Sequence, residues 1–175
     1  MTDLENATYS NTKTFSFNGI ECDAKIVKVY DGDTCTAVMK YNSTLYKFTI
    51  RMDGYDAPEI RSHNKLEKKY GLKSRDYLRS LILNKIVTLK CLSYDKYGRI
   101  LGLLTLNSGE IVNDMMIEHG WSIPYDGGHK MNWDDILGEW ELMYTQTIAS
   151  ESGDARTPRS GDGELREPSE VGTPL

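Results

Sequence analysis

No apolar run in this chain approaches the roughly 20 residues that a membrane-spanning helix requires, so a protein built around such a helix is excluded. The opening stretch from Met1 to Ser10 lacks both the basic and the apolar segments of a secretory signal, which predicts an intracellular protein. Cysteine is scarce. Cys22, Cys35 and Cys91 are odd in number and show no C-x-x-C or Cys/His spacing, which argues against a disulfide framework or a structural zinc site and leaves them as buried or idle thiols. His63, His119 and His129 show no zinc spacing either and read as surface or packing residues. What is present is ordinary for one soluble globular domain with some chain to spare: 175 residues, 39% of them hydrophobic and 27% charged, with a mean hydropathy of -0.51.

The net charge of -5 argues against a nucleic-acid partner until it is divided along the chain. From Asp134 to Leu175 ten acids oppose three arginines, a balance of -7, and the rest of the chain carries +2. Between Lys47 and Arg99 thirteen basic residues oppose six acids, so the centre alone carries +7 and suits a polyanion.

Alternating, β-branched-rich runs at Thr14 to Phe17, Ala24 to Tyr30, Cys35 to Met39 and Leu45 to Arg51 predict a β-meander. Asp31-Gly32-Asp33 and Asn42-Ser43 supply its tight connections. A helical stripe through Leu72, Tyr77, Leu78, Leu81 and Ile82 precedes further strands at Ile86 to Cys91 and Arg99 to Leu106. A short helix is predicted around Val112 to Glu118, ended by Gly120, and an amphipathic helix over about 132–149. The fold class expected is α+β, mainly β: a five-stranded barrel with three flanking helices, occupying residues 14–149 behind an N-terminal arm (1–13). Residues 150–175 contain no aromatic side chain, are acidic and are expected to be a disordered tail.

Three clusters carry chemistry. Asp31-Gly32-Asp33-Thr34 alone is a common turn, yet two carboxylates at a strand end can also ligate a hard cation. Arg51 to Glu59 gathers one cation and three carboxylates in nine residues, with Pro58 fixing the backbone before Glu59. Asp95-Lys96-Tyr97-Gly98-Arg99 places a guanidinium beside an aromatic ring. Together they supply carboxylates for a cation, two arginines for a phosphate and a carboxylate for proton transfer, the parts of metal-assisted phosphodiester hydrolysis.

From about Ala24 to Lys130 the chain resembles the staphylococcal nuclease (thermonuclease) family. The likeness rests on DGDT at Asp31 to Thr34, Arg51 five residues before Asp56, D-x-P-E at Asp56 to Glu59, Tyr70-Gly71 opening the helix, DKYGR at Asp95 to Arg99, and IVNDMMIEHG at Ile111 to Gly120. The resemblance implies an OB-type barrel, a calcium cofactor and a DNA or RNA substrate cut to 3′-phosphate and 5′-hydroxyl ends. It assigns Asp33, Asp56 and the Ala57 carbonyl to calcium, Glu59 to the attacking water, and Arg51 and Arg99 to phosphate. Lys96 and Tyr97 fall on nucleotide-contacting positions. Ala57 departs from the family's threonine but keeps the carbonyl, Tyr125 stands in a divergent segment as a base-stacking partner, and the Asp33 to Arg51 connection is longer than in the staphylococcal enzyme. Lys65, with Lys68 and Lys69, is either a solvated run or an attractor of phosphates.

His63-x-Lys65 opens like the H-x-K-x-x-x-x-D phosphodiesterase motif, but Tyr70 stands where aspartate is required. The alternatives are a non-catalytic single-strand-binding OB module and a scaffold acting through the acidic tail. The joint presence of Asp33, Arg51, Asp56, Glu59 and Arg99 favours the nuclease over the binding module, and truncation at Ser150 tests the scaffold. No membrane association and no obligate protein partner is expected.

Overall fold

Strand β1 (Glu21–Asp31) buries Ala24, Ile26 and Val29 and exposes Lys25, Lys28 and Tyr30. The inward spacing slips from two residues to three because irregularities in the ladder fall between Ile26 and Lys28 and between Val29 and Asp31. Such bulges add twist and re-aim the residues beyond them, which carries Asp31 to the end of the strand facing the functional cleft. The ladder continues through β2 (Thr34–Tyr41) and β3 (Thr44–Met52), joined by Asn42 and Ser43 at φ values of 46° and 67°. Two successive residues in the left-handed region make the two-residue turn whose twist matches a hairpin.

The computed structural model describes residues 3–152 along the backbone, and side chains as far as residue 142. After β3 come β4 (Tyr55–Asp56), α1 (Lys65–Ile82), β5 (Ile86–Tyr94), β6 (Ile100–Thr105), α2 (Val112–Glu118), β7 (Ile123–Pro124) and α3 (Trp133–Ser152), and a 3-10 turn at Asp3–Asn6 precedes them all. Strands β1, β2, β3, β6 and β5 close into a barrel in that order, with only β3 and β6 parallel, while β4 and β7 form a separate two-stranded ribbon. Ile26, Ile50, Leu89, Ile100 and Leu104 fill the core, and α1 and α2 add Leu78, Ile82, Val112 and Met116 to it. The five-stranded OB-type barrel with three helices expected from the sequence is the fold observed.

Three segments differ from expectation. Tyr70-Gly71 does not open α1, which starts five residues earlier at Lys65 behind its Asn64 cap. Thr14 to Phe17 is not a strand, because its alternation serves an aromatic cluster rather than a ladder. Phe17 is buried edge-on between Tyr41 and Phe48, with ring centroids 5.4 and 5.1 Å away, and backbone pairing with β5 begins only at Gly19. Helix α3 runs through Ser150, Glu151 and Ser152, the first residues of the expected tail, since no glycine or proline falls between Gly138 and Gly153. The expectation of disorder over 153–175 lies outside the described residues. The chain divides into two units, Met1–Leu137 with the barrel and Gly138–Leu175, whose described part is the rest of α3.

Candidate active site

The cleft is built on the ends of the central strands. The β1–β2 turn carries Asp31 and Asp33, the end of β3 carries Arg51, the short strand β4 carries Asp56, and the loop after it carries Glu59. Gly32 in the turn approaches α1 so closely that a Cβ would sit 2.0 Å from Ser74 Oγ and 2.7 Å from the Ala57 Cβ. The buried Tyr55 hydroxyl donates to the Gly32 carbonyl at 2.9 Å and fixes the turn from the opposite side. Glu59 is fixed through its backbone, its N–H donating to Glu67 Oε1 of α1 at 3.1 Å. Helix α1 has a defined start because the Asn64 side chain accepts from the N–H groups of Leu66 and Glu67, and Asn64 also bonds Asp134.

Arg51 bridges the two aspartates, its Nη2 lying 3.1 Å from Asp33 Oδ2 and 3.1 Å from Asp56 Oδ1, while Nη1 donates to the Met52 carbonyl at 2.8 Å. The remaining oxygens are partnered too. Thr34 donates to Asp33 Oδ1 at 2.7 Å, and the Trp133 indole donates to Asp56 Oδ2 at 3.3 Å. Lys130 places its ammonium 2.9 Å from Asp56 Oδ1 and 3.8 Å from Glu59 Oε1. Arg99 is held by Asp95 at 2.5 Å and donates to Thr34 Oγ1 at 3.2 Å, which brings it beside Asp33. Its guanidinium also lies 5.5 Å from the Tyr97 ring.

Negative charge exceeds positive here. Among the described residues, Asp31, Asp33, Asp56 and Glu59 face Arg51 and Lys130 as neutralising cations, since Arg99 is matched by Asp95. Asp31 Oδ1 is buried with no hydrogen-bond partner. Its burial, and then the charges of Asp33 and Glu59, push the Asp31 pKa up to about 6. Burial, then Asp33, raises Glu59 as well, against the opposing pull of Lys130. Lys130 is held above its usual value: partial burial works against its charge, but its hydrogen bond to Asp56 and the surrounding carboxylates outweigh that. Asp95 is also partly buried, yet its bonds from Arg99 and Tyr97 keep it below the usual carboxylate range.

An all-oxygen donor set, surplus negative charge and an orphaned buried carboxylate oxygen suit a hard divalent cation. Among the described residues no three Asp, Glu, His or Cys side chains form a closed metal-holding group, so the fit is to an open site completed by solvent and backbone oxygen. Every oxygen of Asp33 and Asp56 has a protein partner, and Asp56 Oδ1 has two, so a cation at that oxygen competes with Arg51 and Lys130. Lys130, about half exposed, is far easier to displace than the buried Arg51.

Of the residues singled out in the sequence, Asp33, Arg51, Glu59, Lys96, Tyr97, Arg99 and Tyr125 line one cleft of about 760 Å³, whereas Asp56 and Ala57 are buried and do not line it, Asp56 reaching it through Arg51. Lys65 does not line the cleft; it is exposed at the first position of α1. The structure adds Lys130, Trp133 and Tyr55, which sequence spacing does not connect to Asp56 or Gly32. It also adds Asn113, whose side chain donates to the Asp53 and Gly102 carbonyls and accepts from the Leu104 N–H, tying the end of β3 to β6.

Residues 49–141 match the model of the staphylococcal nuclease homologue family, more than half of the chain. The chain belongs to the staphylococcal nuclease homologue family. Its relatives include an uncharacterized endonuclease of Escherichia coli, 33% identical over 113 residues that cover 65% of each chain. A probable endonuclease, LCL3, of Yarrowia lipolytica is 37% identical over 81 residues, 45% of this chain and 36% of that protein. The matched part thus spans between about a third and two thirds of these relatives' lengths. The match to the staphylococcal nuclease homologues runs from β3 into α3 and so contains Arg51, Asp56, Glu59, Arg99 and Lys130, while Asp31 and Asp33 lie upstream of it.

Proposed function

We propose that this chain is a calcium-dependent phosphodiesterase that hydrolyses DNA, RNA or both to 3′-phosphate and 5′-hydroxyl ends. The observation that carries the reading is the convergence on one cleft of Glu59, the two arginines and a buried carboxylate cluster with surplus negative charge. Relatives named as endonucleases support the same reading.

Asp33, Asp56 and the Ala57 carbonyl would hold the ion, with Lys130 giving way. When bound, calcium supplies Lewis-acid polarisation of a phosphoryl oxygen. Glu59, about half exposed, reaches solvent at the mouth of the cleft, and its raised pKa brings it closer to neutrality, where a carboxylate accepts a proton from water most effectively. Water attacks phosphorus as Glu59 takes its proton, the bond to the 5′ oxygen breaks, and that oxygen takes a proton from solvent. Arg99 approaches from the Thr34 side and Arg51 from beneath, each able to donate paired hydrogen bonds to the equatorial oxygens as their charge grows. Lys96, Tyr97 and Tyr125 form the rim available to nucleotides, and Lys65 lies outside it. Among the described residues no helix is long and apolar enough to cross a membrane.

The test is incubation of purified protein with single-stranded DNA, duplex DNA and RNA, in calcium or in excess EDTA, with end-group analysis. The reading requires calcium-supported cleavage with the stated ends. Equal cleavage in EDTA removes the metal mechanism, and binding without cleavage in any arm leaves an OB-type binding module.

A further inference from the structure

The face of the sheet that delivers Arg51 to the cleft continues outside it. Along β3, Lys47, Thr49 and Arg51 alternate onto one side, opposite Phe48 and Ile50 of the core side. Their partners across the ladder are Val38, Thr36 and Thr34, and Lys25 and Lys28 of β1 pair in turn with Val38 and Thr36. Lys40 stands further along the same side of β2. Between Lys25 and Arg51 the only carboxylates are Asp31 and Asp33, both in the cleft, so the acids of this outer face, Glu21 and Asp23, stand at the far end of β1, beyond Lys25.

Tyr30 lies in the middle of this face. It is 44% exposed, and Lys28 Nζ sits 4.2 Å from its ring centroid, on one side only. Thr36, then the charges of Lys28 and Lys47, lower the pKa of its hydroxyl. An exposed ring, a neighbouring ammonium and a second ammonium two strands away, across β2, are the parts of a single-strand platform: a stacking surface for a base and cations for the flanking phosphates. The four-residue step from Arg51 to Lys47 spans about 13 Å of strand, so the platform lies beyond the scissile phosphate while remaining continuous with it.

We propose that the outer face of β1, β2 and β3, centred on Tyr30, Lys28 and Lys47, is an accessory binding track for the single-stranded polynucleotide whose scissile phosphate lies in the cleft. The proposal rests on the nuclease reading for its substrate, but its test does not depend on cleavage. Chain length then sets affinity, and small phosphodiesters that fill only the cleft gain nothing from the track.

The experiment measures Kd for a long single-stranded oligodeoxynucleotide, in EDTA, across a salt series. It compares wild type, Lys28→Gln/Lys47→Gln, Tyr30→Leu, and a charge-matched control on and beside β5, Lys85→Gln/Lys90→Gln. Hydrolysis of a small nitrophenyl phosphodiester in calcium is followed alongside, with circular dichroism to confirm the fold. The double variant should lower the magnitude of the salt slope by about 1.4, roughly 0.7 for each lysine that no longer neutralises a phosphate. Tyr30→Leu should weaken binding about tenfold, within the range for one base stacked on an aromatic ring. The control should keep the wild-type slope, and all variants should keep the wild-type rate on the small substrate. A wild-type slope in the double variant, or an equal reduction in the control, overturns the track. Failure of the wild type to hydrolyse anything overturns the nuclease reading and leaves the binding comparison decisive for the track.

Discussion

Asp31 keeps one carboxylate oxygen buried without a partner, in a turn that already holds Asp33 and faces Glu59. Burial and repulsion make the ionised form unfavourable, so in cation-free protein this group stabilises the fold only while protonated. The folded pKa is raised to about 6, above the unfolded value, so the stabilisation is full below the unfolded pKa and is lost as pH rises through 6. Asp31→Asn should therefore raise Tm in EDTA by a few degrees above pH 6, with the gain shrinking as pH falls. Thermal melts of both proteins across that range check it, and an Asp31→Asn variant less stable than wild type at pH 7 would contradict the stated charge imbalance. The role of Asp31 was half legible in the sequence: the Asp-Gly-Asp spacing placed it at a strand end, but the buried, unpartnered Oδ1 depends on how the irregular end of β1 packs.

Helix α1 acts as the support for the Glu59 loop. Gly71 faces that loop without a side chain, and a Cβ there would lie 2.7 Å from the Pro58 carbonyl oxygen and 3.0 Å from both the Glu59 carbonyl carbon and the Ile60 nitrogen. All three are backbone atoms, so the loop rather than a flexible side chain must move. Gly71→Ala improves helix propensity yet should lower kcat on polynucleotide by about tenfold to a hundredfold, the scale of a roughly 1 Å misplacement, with Kd little changed. Steady-state kinetics beside equilibrium binding would check this, and an unchanged kcat would show that the loop is not seated by the helix. Elements with clear periodicity, including α1, α2 and the barrel strands, were legible because burial imposes the pattern directly. Thr14 to Phe17 misleads because alternating aromatics look the same whether they line a strand or cap a barrel end. The support of Glu59 by Glu67 and Gly71 was not legible, since it depends on how closely a loop and a helix approach.

At the scale of the whole molecule, function depends on pieces far apart in the chain meeting at one end of the barrel. The parallel pairing of β3 with β6 brings Arg51 of one beside the strand that Arg99 precedes, and the chain beyond β7 returns Lys130 and Trp133 to Asp56. The arginines and acids announced themselves in short motifs, whereas Lys130 and Trp133 had no local signal because their partner lies more than seventy residues away. The central claim is that this assembly performs chemistry on the phosphodiester rather than only holding it. Single-turnover cleavage by Glu59→Gln, with polynucleotide Kd measured separately and folding confirmed by circular dichroism, tests that most directly. The account predicts a rate lowered by about 10²–10⁴-fold at unchanged affinity, the range for loss of a proton acceptor. A folded Glu59→Gln protein that cuts at the wild-type rate would contradict it.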